Sequence, residues 1–205
     1  GGGAGALIGM AKNYGVVFED DEAKDIVQKW RGANPWAGEV WDDFDKAISS
    51  AVKVAGEPFK AGRCTFQSDG LNFLWCELPS GAILSYPKPK WEVYTTPWGD
   101  ERVGATFQTA TKPASGEPAL RKHARGALLF QNAVQGCASN ILREALIEAD
   151  AAGLEIIASV HDEIVGIGLR SDGDKLNEIM KELPWWADGL PLDTGGVEYG
   201  KRYGK

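Results

Sequence analysis

Two short apolar runs separated by three ionisable residues constrain this fold more than any other feature of the chain. Residues 154–160 read Leu-Glu-Ile-Ile-Ala-Ser-Val and residues 164–169 read Ile-Val-Gly-Ile-Gly-Leu, with His161-Asp162-Glu163 between them. Runs of this length and of this β-branched character are typical of strands. The sequence therefore predicts a buried β-hairpin over about residues 155–169, with three ionisable groups at its tip.

The tip indicates chemistry as well as a turn. An ordinary polar turn is the alternative, but turns favour glycine, asparagine, aspartate and proline, and charge beside buried strands is costly unless it is solvated, paired or metal-bound. Adjacent strand residues point to opposite faces, and Mg²⁺ takes oxygen ligands from several places. Asp162 is therefore interpreted as half of a metal site. A His-Asp phosphohydrolase site would need further histidines, and the chain has only His123 besides His161.

The remaining pattern predicts an α+β fold. Residues 19–52 read as two amphipathic helices separated by Asn34-Pro35, and residues 62–110 alternate short aromatic and β-branched segments with turn residues, as antiparallel hairpins do. A long helix is expected over about 120–153 and another over about 173–183. The predicted buried stripe of the long helix consists of Ala133, Val134, Cys137, Ile141, Leu142, Ala145, Leu146 and Ala149.

Charge is distributed unevenly along the chain. The net charge of −7 argues against nucleic-acid binding by a bulk positive field. Residues 110–145, which begin with a polar loop over Lys112–Pro118, reverse the sign with five basic and two acidic side chains. This basic window is predicted to contact an anion, and a solvated helix end is the alternative. Its charged residues are Lys112, Glu117, Arg121, Lys122, Arg125, Arg143 and Glu144.

Several classes of protein are excluded by composition. No apolar run approaches the ~20 residues of a membrane-spanning helix, and no secretory signal pattern is present. The three cysteines lack CxxC spacing, which is typical of reduced thiols, and with two histidines they offer no plausible zinc site. We therefore expect a cytoplasmic protein without a membrane partner.

A cluster of amides precedes the hairpin on the long helix. Asn132 and Gln135 are three residues apart and share a helix face. Because this helix begins in the basic window, its amides could reach hydrogen-bonding groups in a DNA minor groove. Ordinary polar helix positions are the alternative.

Together, these segments resemble family A (DNA polymerase I-like) DNA polymerases of the bacteriophage branch. Val160–Val165 is similar to the third catalytic motif of that family, and Asn132–Ala138 to its minor-groove-contacting helix. The resemblance covers essentially the whole chain in the same order. Further similar segments are Gly1–Leu7 and Ala11–Gly15 after the fingers helix, the hairpin Leu78–Pro87, and the tail Gly196–Tyr203.

The resemblance implies the C-terminal fingers-and-palm portion of a template-directed DNA polymerase with an antiparallel palm-type sheet. Residues 1–58 would form the fingers-type segment that follows the nucleotide-binding helix. Residues 59–205 would form the palm portion, with a hairpin insertion over about 62–110 and the metal-binding hairpin over about 155–169. The implied partners are a DNA primer-template and deoxynucleoside triphosphates, in the cytoplasm of a bacterial host.

The resemblance also implies roles for single residues in a two-metal phosphoryl transfer. Asp162 would bind two catalytic Mg²⁺ ions and Glu163 would assist. The implied DNA contacts are His161 at the primer terminus, Gln135 at the minor-groove edge, Asn132 and Arg125.

Some family features have no counterpart in this sequence. The first palm motif, which supplies another metal-binding aspartate, and the triphosphate-binding fingers helix are missing, and Ser68-Asp69-Gly70 has the wrong neighbours to replace the motif. Ala138-Ser139-Asn140 stands where phage relatives often have Ala-Arg-Asp, which puts a local salt bridge in question. We therefore expect a chain that is inactive alone and is completed by an N-terminal polymerase polypeptide. The alternatives are a non-catalytic DNA- or protein-binding remnant and a tryptophan-rich ligand-binding module on residues 62–110.

Overall fold

The computed structural model describes residues 2–96, 99–109, 120–201 and 203. Helices and antiparallel sheets share this part of the chain, which confirms the predicted α+β class. The predicted loop Lys112–Pro118 lies outside the described residues. The elements are α1 (Ala4–Lys12), α2 (Asp20–Ala33), α3 (Pro35–Lys53), β1 (Phe59–Ala61), β2 (Cys64–Ser68), β3 (Phe73–Glu77), β4 (Ile83–Pro87), β5 (Lys90–Thr95), β6 (Glu101–Gln108), β7 (Arg121–His123), α4 (Gly126–Ala151), β8 (Glu155–Val160), β9 (Glu163–Ile167), α5 (Arg170–Lys181) and a 3₁₀ turn (Trp185–Ala187).

The chain divides into two compact units. The first unit comprises residues 1–77 and 83–133, and the second comprises residues 78–82 and 134–205. Helix α4 contributes residues to both units. The functional division after residue 58 stays a prediction.

The first unit is built around α3. This helix packs against the sheet β1-β2-β3-β4, whose strands alternate buried and outward-facing side chains. Phe44 of α3 meets the rings of Phe66 and Phe130 edge-on, with ring centroids 5.3 and 5.4 Å apart. Aromatic pairs in this geometry add stabilisation beyond the area that they bury. A second antiparallel sheet, β5-β6-β7, joins this unit through the edge-on contact of Phe107 with Tyr86.

The second unit contains the hairpin β8–β9, helix α5 and the C-terminal tail. The indole of Trp186, which is buried, donates from Nε1 to Glu144 Oε1 at 2.7 Å. Lys175 Nζ donates to the carbonyl of Ala152 at 2.8 Å, which ties α5 to the end of α4. Among the described residues, no helix combines the length and the apolar character that a membrane crossing requires.

Most predicted elements are confirmed, with shifted ends. Gly153, the predicted stop of the long helix, adopts φ +78° two residues after α4 ends, a conformation that glycine takes without steric cost. The same helix begins at Gly126 rather than near residue 120, because residues 121–123 pair with β6 as a strand. Val134 is 51 % exposed, so its place in the buried stripe was wrong.

The turn between β2 and β3 gives a testable pH dependence. Asp69 Oδ1 accepts backbone N–H groups of Leu71, Asn72 and Phe73 at 3.0, 2.7 and 2.9 Å. These bonds, that from Phe73 foremost, lower the pKa of Asp69 from 3.8 to about 2. A lowered carboxyl pKa stabilises the fold above the unfolded value, and this contribution fades as pH falls through about 2.

We therefore expect Asp69→Asn to destabilise the protein at neutral pH and progressively less between pH 3.8 and 2. Urea unfolding of both proteins across this range measures the difference. Asp188→Asn, which changes an exposed aspartate without such bonds, is the control. A stability difference that is constant with pH would contradict the role assigned to Asp69.

Candidate active site

The predicted metal-binding hairpin forms with a two-residue connection. Val160 pairs with Glu163 across β8 and β9, so His161 and Asp162 alone make the turn. His161 adopts φ +56°, in the left-handed region that tight hairpin turns require at such positions. Glycine or asparagine occupies this region at lower cost, whereas other residues there store of order 1–3 kcal/mol of strain. Strained turn residues cluster at functional sites, which favours a functional role for this tip.

The hairpin itself is exposed, so the prediction of a buried hairpin was wrong. Ile157 and Ile167 are 56 % and 58 % exposed, and no other strand of the described residues pairs with β8 and β9. Apolar composition shows that a strand favours burial, but burial depends on the elements that pack against it. A two-stranded sheet needs further strands or a packed helix for independent stability.

The carboxylates of the tip differ in their surroundings. The side chain of Asp162 is exposed and makes no hydrogen bond or ion pair with any other described residue. Glu163 is half-buried, and its Oε2 accepts a hydrogen bond from the hydroxyl of Tyr203 at 3.0 Å. The sequence did not indicate this contact, because the two residues lie forty positions apart and no local pattern joins them.

The tip fits Mg²⁺ as part of a site. Mg²⁺ is usually held by one or two carboxylates together with water and substrate phosphates, and Asp162 offers one accessible carboxylate. Within the described ranges no cluster of three or more histidine, cysteine, aspartate or glutamate side chains is placed to hold a metal. Among the described residues, this turn therefore offers one accessible carboxylate, with Glu163 beside it.

The predicted DNA-contacting residues in and beside α4 also differ in exposure and in hydrogen bonding. Gln135 is exposed and its amide has no hydrogen-bonding partner among the described residues. Asn132 is half-buried and donates from Nδ2 to the Tyr86 hydroxyl at 3.3 Å. Gln135 is thus open to a ligand, whereas Asn132 is held within the first unit. Arg125 is exposed one residue before α4 begins.

One arginine of the basic window is paired within the fold. Arg121 Nε donates to Glu92 Oε1 at 2.6 Å, and both side chains are largely covered. This pair makes Arg121 a structural residue of the β5-β6-β7 sheet. Lys112 and Glu117 lie outside the described residues.

The departure at Ala138-Ser139-Asn140 has a local explanation. Asn140 is buried on α4 and donates from Nδ2 to Ser80 Oγ at 2.6 Å, within the second unit. A neutral amide–hydroxyl bond therefore satisfies this buried position without a salt bridge.

Comparison with known proteins identifies one relevant relative. The chain is 36 % identical over 200 residues to a protein named DNA polymerase from Bacillus phage SP02. The match covers 95 % of this chain and 29 % of the relative, so the chain spans under a third of the length of the curated relative it matches. No family model matches the chain, and no solved structure matches it.

Proposed function

We propose that this chain is the C-terminal fingers-and-palm portion of a family A DNA polymerase of the bacteriophage branch. The observation that carries the proposal is the tip of the β8–β9 hairpin, where a strained His161 precedes the exposed carboxylate of Asp162, which has no partner among the described residues. The similarity of this chain to a phage protein named DNA polymerase also supports the proposal.

In this proposal the residues act as follows. Asp162 holds Mg²⁺ together with ligands from outside this chain, and bound Mg²⁺ supplies charge stabilisation for phosphoryl transfer. Glu163 assists by adding a second carboxylate beside Asp162. His161 lies against the primer terminus, and Gln135 donates to minor-groove acceptors that all base pairs share, which suits recognition without sequence preference.

The proposal includes a complementary polypeptide. The exposed apolar side chains of the two-stranded hairpin support it, because an uncovered sheet of this kind favours association with a further strand or chain. The complementary piece would contribute the other metal-binding aspartate and the triphosphate-binding helix. The assembled enzyme would act on DNA primer-templates and deoxynucleoside triphosphates in the host cytoplasm.

Primer extension tests this proposal directly. The chain is assayed with Mg²⁺ and four deoxynucleotides, alone and then mixed with an N-terminal polymerase polypeptide from the same source. Extension only in the mixture supports the proposal, and extension by the chain alone would mean that a metal ligand has been misplaced. A mixture that is assembled and folded but inactive would favour the non-catalytic remnant.

Gln135→Ala is expected to weaken use of the primer-template by about threefold to tenfold, because one hydrogen bond to the minor groove is lost. The effect should appear in the KM for primer-template more than in kcat. Gln28→Ala, which removes an exposed glutamine from α2, is the matched control. Equal behaviour of the two variants would remove Gln135 from the DNA interface.

A further inference from the structure

The register of the β5-β6-β7 sheet gathers cations from separate strands on one face. Tyr94 pairs with Arg102, Lys90 with Thr106, and Thr106 with His123. Directly paired residues point to the same face of a sheet, and so do residues two apart along a strand. The face consists of Lys90, Glu92, Tyr94, Arg102, Gly104, Thr106, Gln108, Arg121 and His123.

The one acidic side chain among these residues already accepts hydrogen bonds within the sheet. Glu92 Oε1 accepts from Thr106 Oγ1 and from Arg121 Nε, and these bonds, that from Thr106 foremost, lower the pKa of Glu92. Lys90 and Arg102 are exposed and form no ion pair with any described carboxylate. The face therefore carries an excess of positive charge on a chain whose net charge is −7.

Arg125 adds a cation beside this face, two residues after His123. It is exposed, and it forms no ion pair with any described residue. Its charge acts on Asp45 of α3, whose Oδ1 accepts the backbone N–H of Gly126 at 2.7 Å. Burial raises the pKa of Asp45, and the charge of Arg125 lowers it.

The positive charge of this face affects the pKa of His123. Its ring stacks on Tyr94, with the ring centroids 4.1 Å apart and an interplanar angle of 22°. The stack lies against Gly104, where a Cβ would stand 2.9 Å from His123 Nε2. Burial, and then the charges of Arg125 and Arg102, lower the pKa of His123. Two cations thus disfavour protonation of one half-buried imidazole, and an anion bound nearby would offset their charge.

We propose that Lys90, Arg102 and Arg125 form a binding site for the phosphate backbone of nucleic acid beside the Tyr94–His123 stack. Lys90 and Tyr94, the partner of Arg102, are four residues apart on one strand, which is roughly 13 Å. A single phosphate cannot span that distance, whereas the repeated charges of a nucleic-acid backbone can. As to the ligand, this inference rests on the proposed function.

Equilibrium binding of a short labelled DNA duplex, without nucleotides or Mg²⁺, tests the site. Each lost phosphate contact is expected to weaken binding about fivefold to tenfold at ~0.1 M salt and to reduce the salt slope by about 0.9. The double variant Lys90→Ala/Arg102→Ala removes two contacts, so both the loss of affinity and the change in salt slope should apply for each of them. Arg125→Ala removes one contact and should show each effect once. Arg31→Ala, which removes an exposed arginine from α2 in the same unit, is the matched control.

The outcomes are distinct. Binding by the double variant that equals the Arg31→Ala control overturns the proposal, and so does a wild-type chain that does not bind the duplex. Competition by inorganic phosphate beyond that of chloride at equal ionic strength would assign the site to free phosphate and overturn the backbone proposal. A chain that binds here but does not extend a primer even when it is assembled with the N-terminal polypeptide contradicts the proposed function and leaves this site intact.

Proton NMR of the histidines gives a second readout that a purely structural role would not move. The chain has two histidines, and His161→Gln assigns their signals. The pKa of His123 should rise when the duplex is added and should also rise in Arg102→Ala without DNA, because each change lowers the local positive potential. An unchanged His123 titration in both experiments would contradict the site.

Discussion

If the proposed function is correct, Asp162→Ala is expected to reduce nucleotide addition by the assembly of this chain with its proposed N-terminal polypeptide about a thousandfold or more. Removing a group that stabilises charge in the transition state costs several kcal/mol, and metal ligands belong to this class. Asp162 is exposed and has no partner among the described residues, so its loss should not disturb the fold. DNA binding should remain close to the wild-type value, because only the interaction made during the reaction is removed.

Single-turnover extension and equilibrium DNA binding, measured on the same preparations, separate these effects. Asp150→Ala is the matched control, since it removes an exposed aspartate from α4 in the same unit. Near wild-type extension by Asp162→Ala would show that the metal assignment is wrong. Equal losses of extension and binding would instead make Asp162 a structural or DNA-contacting residue.

The candidate catalytic residues could be predicted because they are contiguous. His161, Asp162 and Glu163 form a turn between two strands whose lengths and composition are local properties of the sequence. The hydrogen bond from Tyr203 to Glu163 could not be predicted, because it depends on the path of the tail. The cation-rich sheet face is also invisible in the sequence, since strand register rather than spacing brings Lys90, Arg102 and His123 together.

The same distinction explains the elements that the sequence did not predict. The three-residue strands β1 and β7 exist through pairing with longer neighbours, and their own composition carries no strand pattern. Helix α1 contains Gly5 and Gly9, which disfavour a helix locally; its contact with α2 supplies the stabilisation that the residues lack. Periodicity therefore located the long amphipathic helices, whose stripes are intrinsic, and missed elements that depend on partners.

Gly126→Ala should be the most destabilising single-methyl change in the first unit. A Cβ at this position would lie 1.9 Å from the carbonyl oxygen of Trp41 and 2.8 Å from the backbone nitrogen of Asp45. These are backbone atoms of α3, so no side-chain rotation relieves the overlap and α3 must move away from the start of α4. We expect a loss of about 3 kcal/mol in the free energy of unfolding, at the upper end of overpacking effects.

Gly38→Ala is expected to change the free energy of unfolding in the opposite direction within the same unit. Gly38 lies inside α3 with open space around its Cα, so alanine there should stabilise the protein by about 0.5–1 kcal/mol through its higher helix propensity. Urea unfolding of both variants, followed by tryptophan fluorescence, measures the difference. Because Arg125 directly precedes the start of α4 at Gly126, a displaced helix should also weaken DNA binding by Gly126→Ala but not by Gly38→Ala. Equal stability of the two variants would refute the close approach of α3 to α4, and with it the placement of Arg125 and Asn132 on a fixed support.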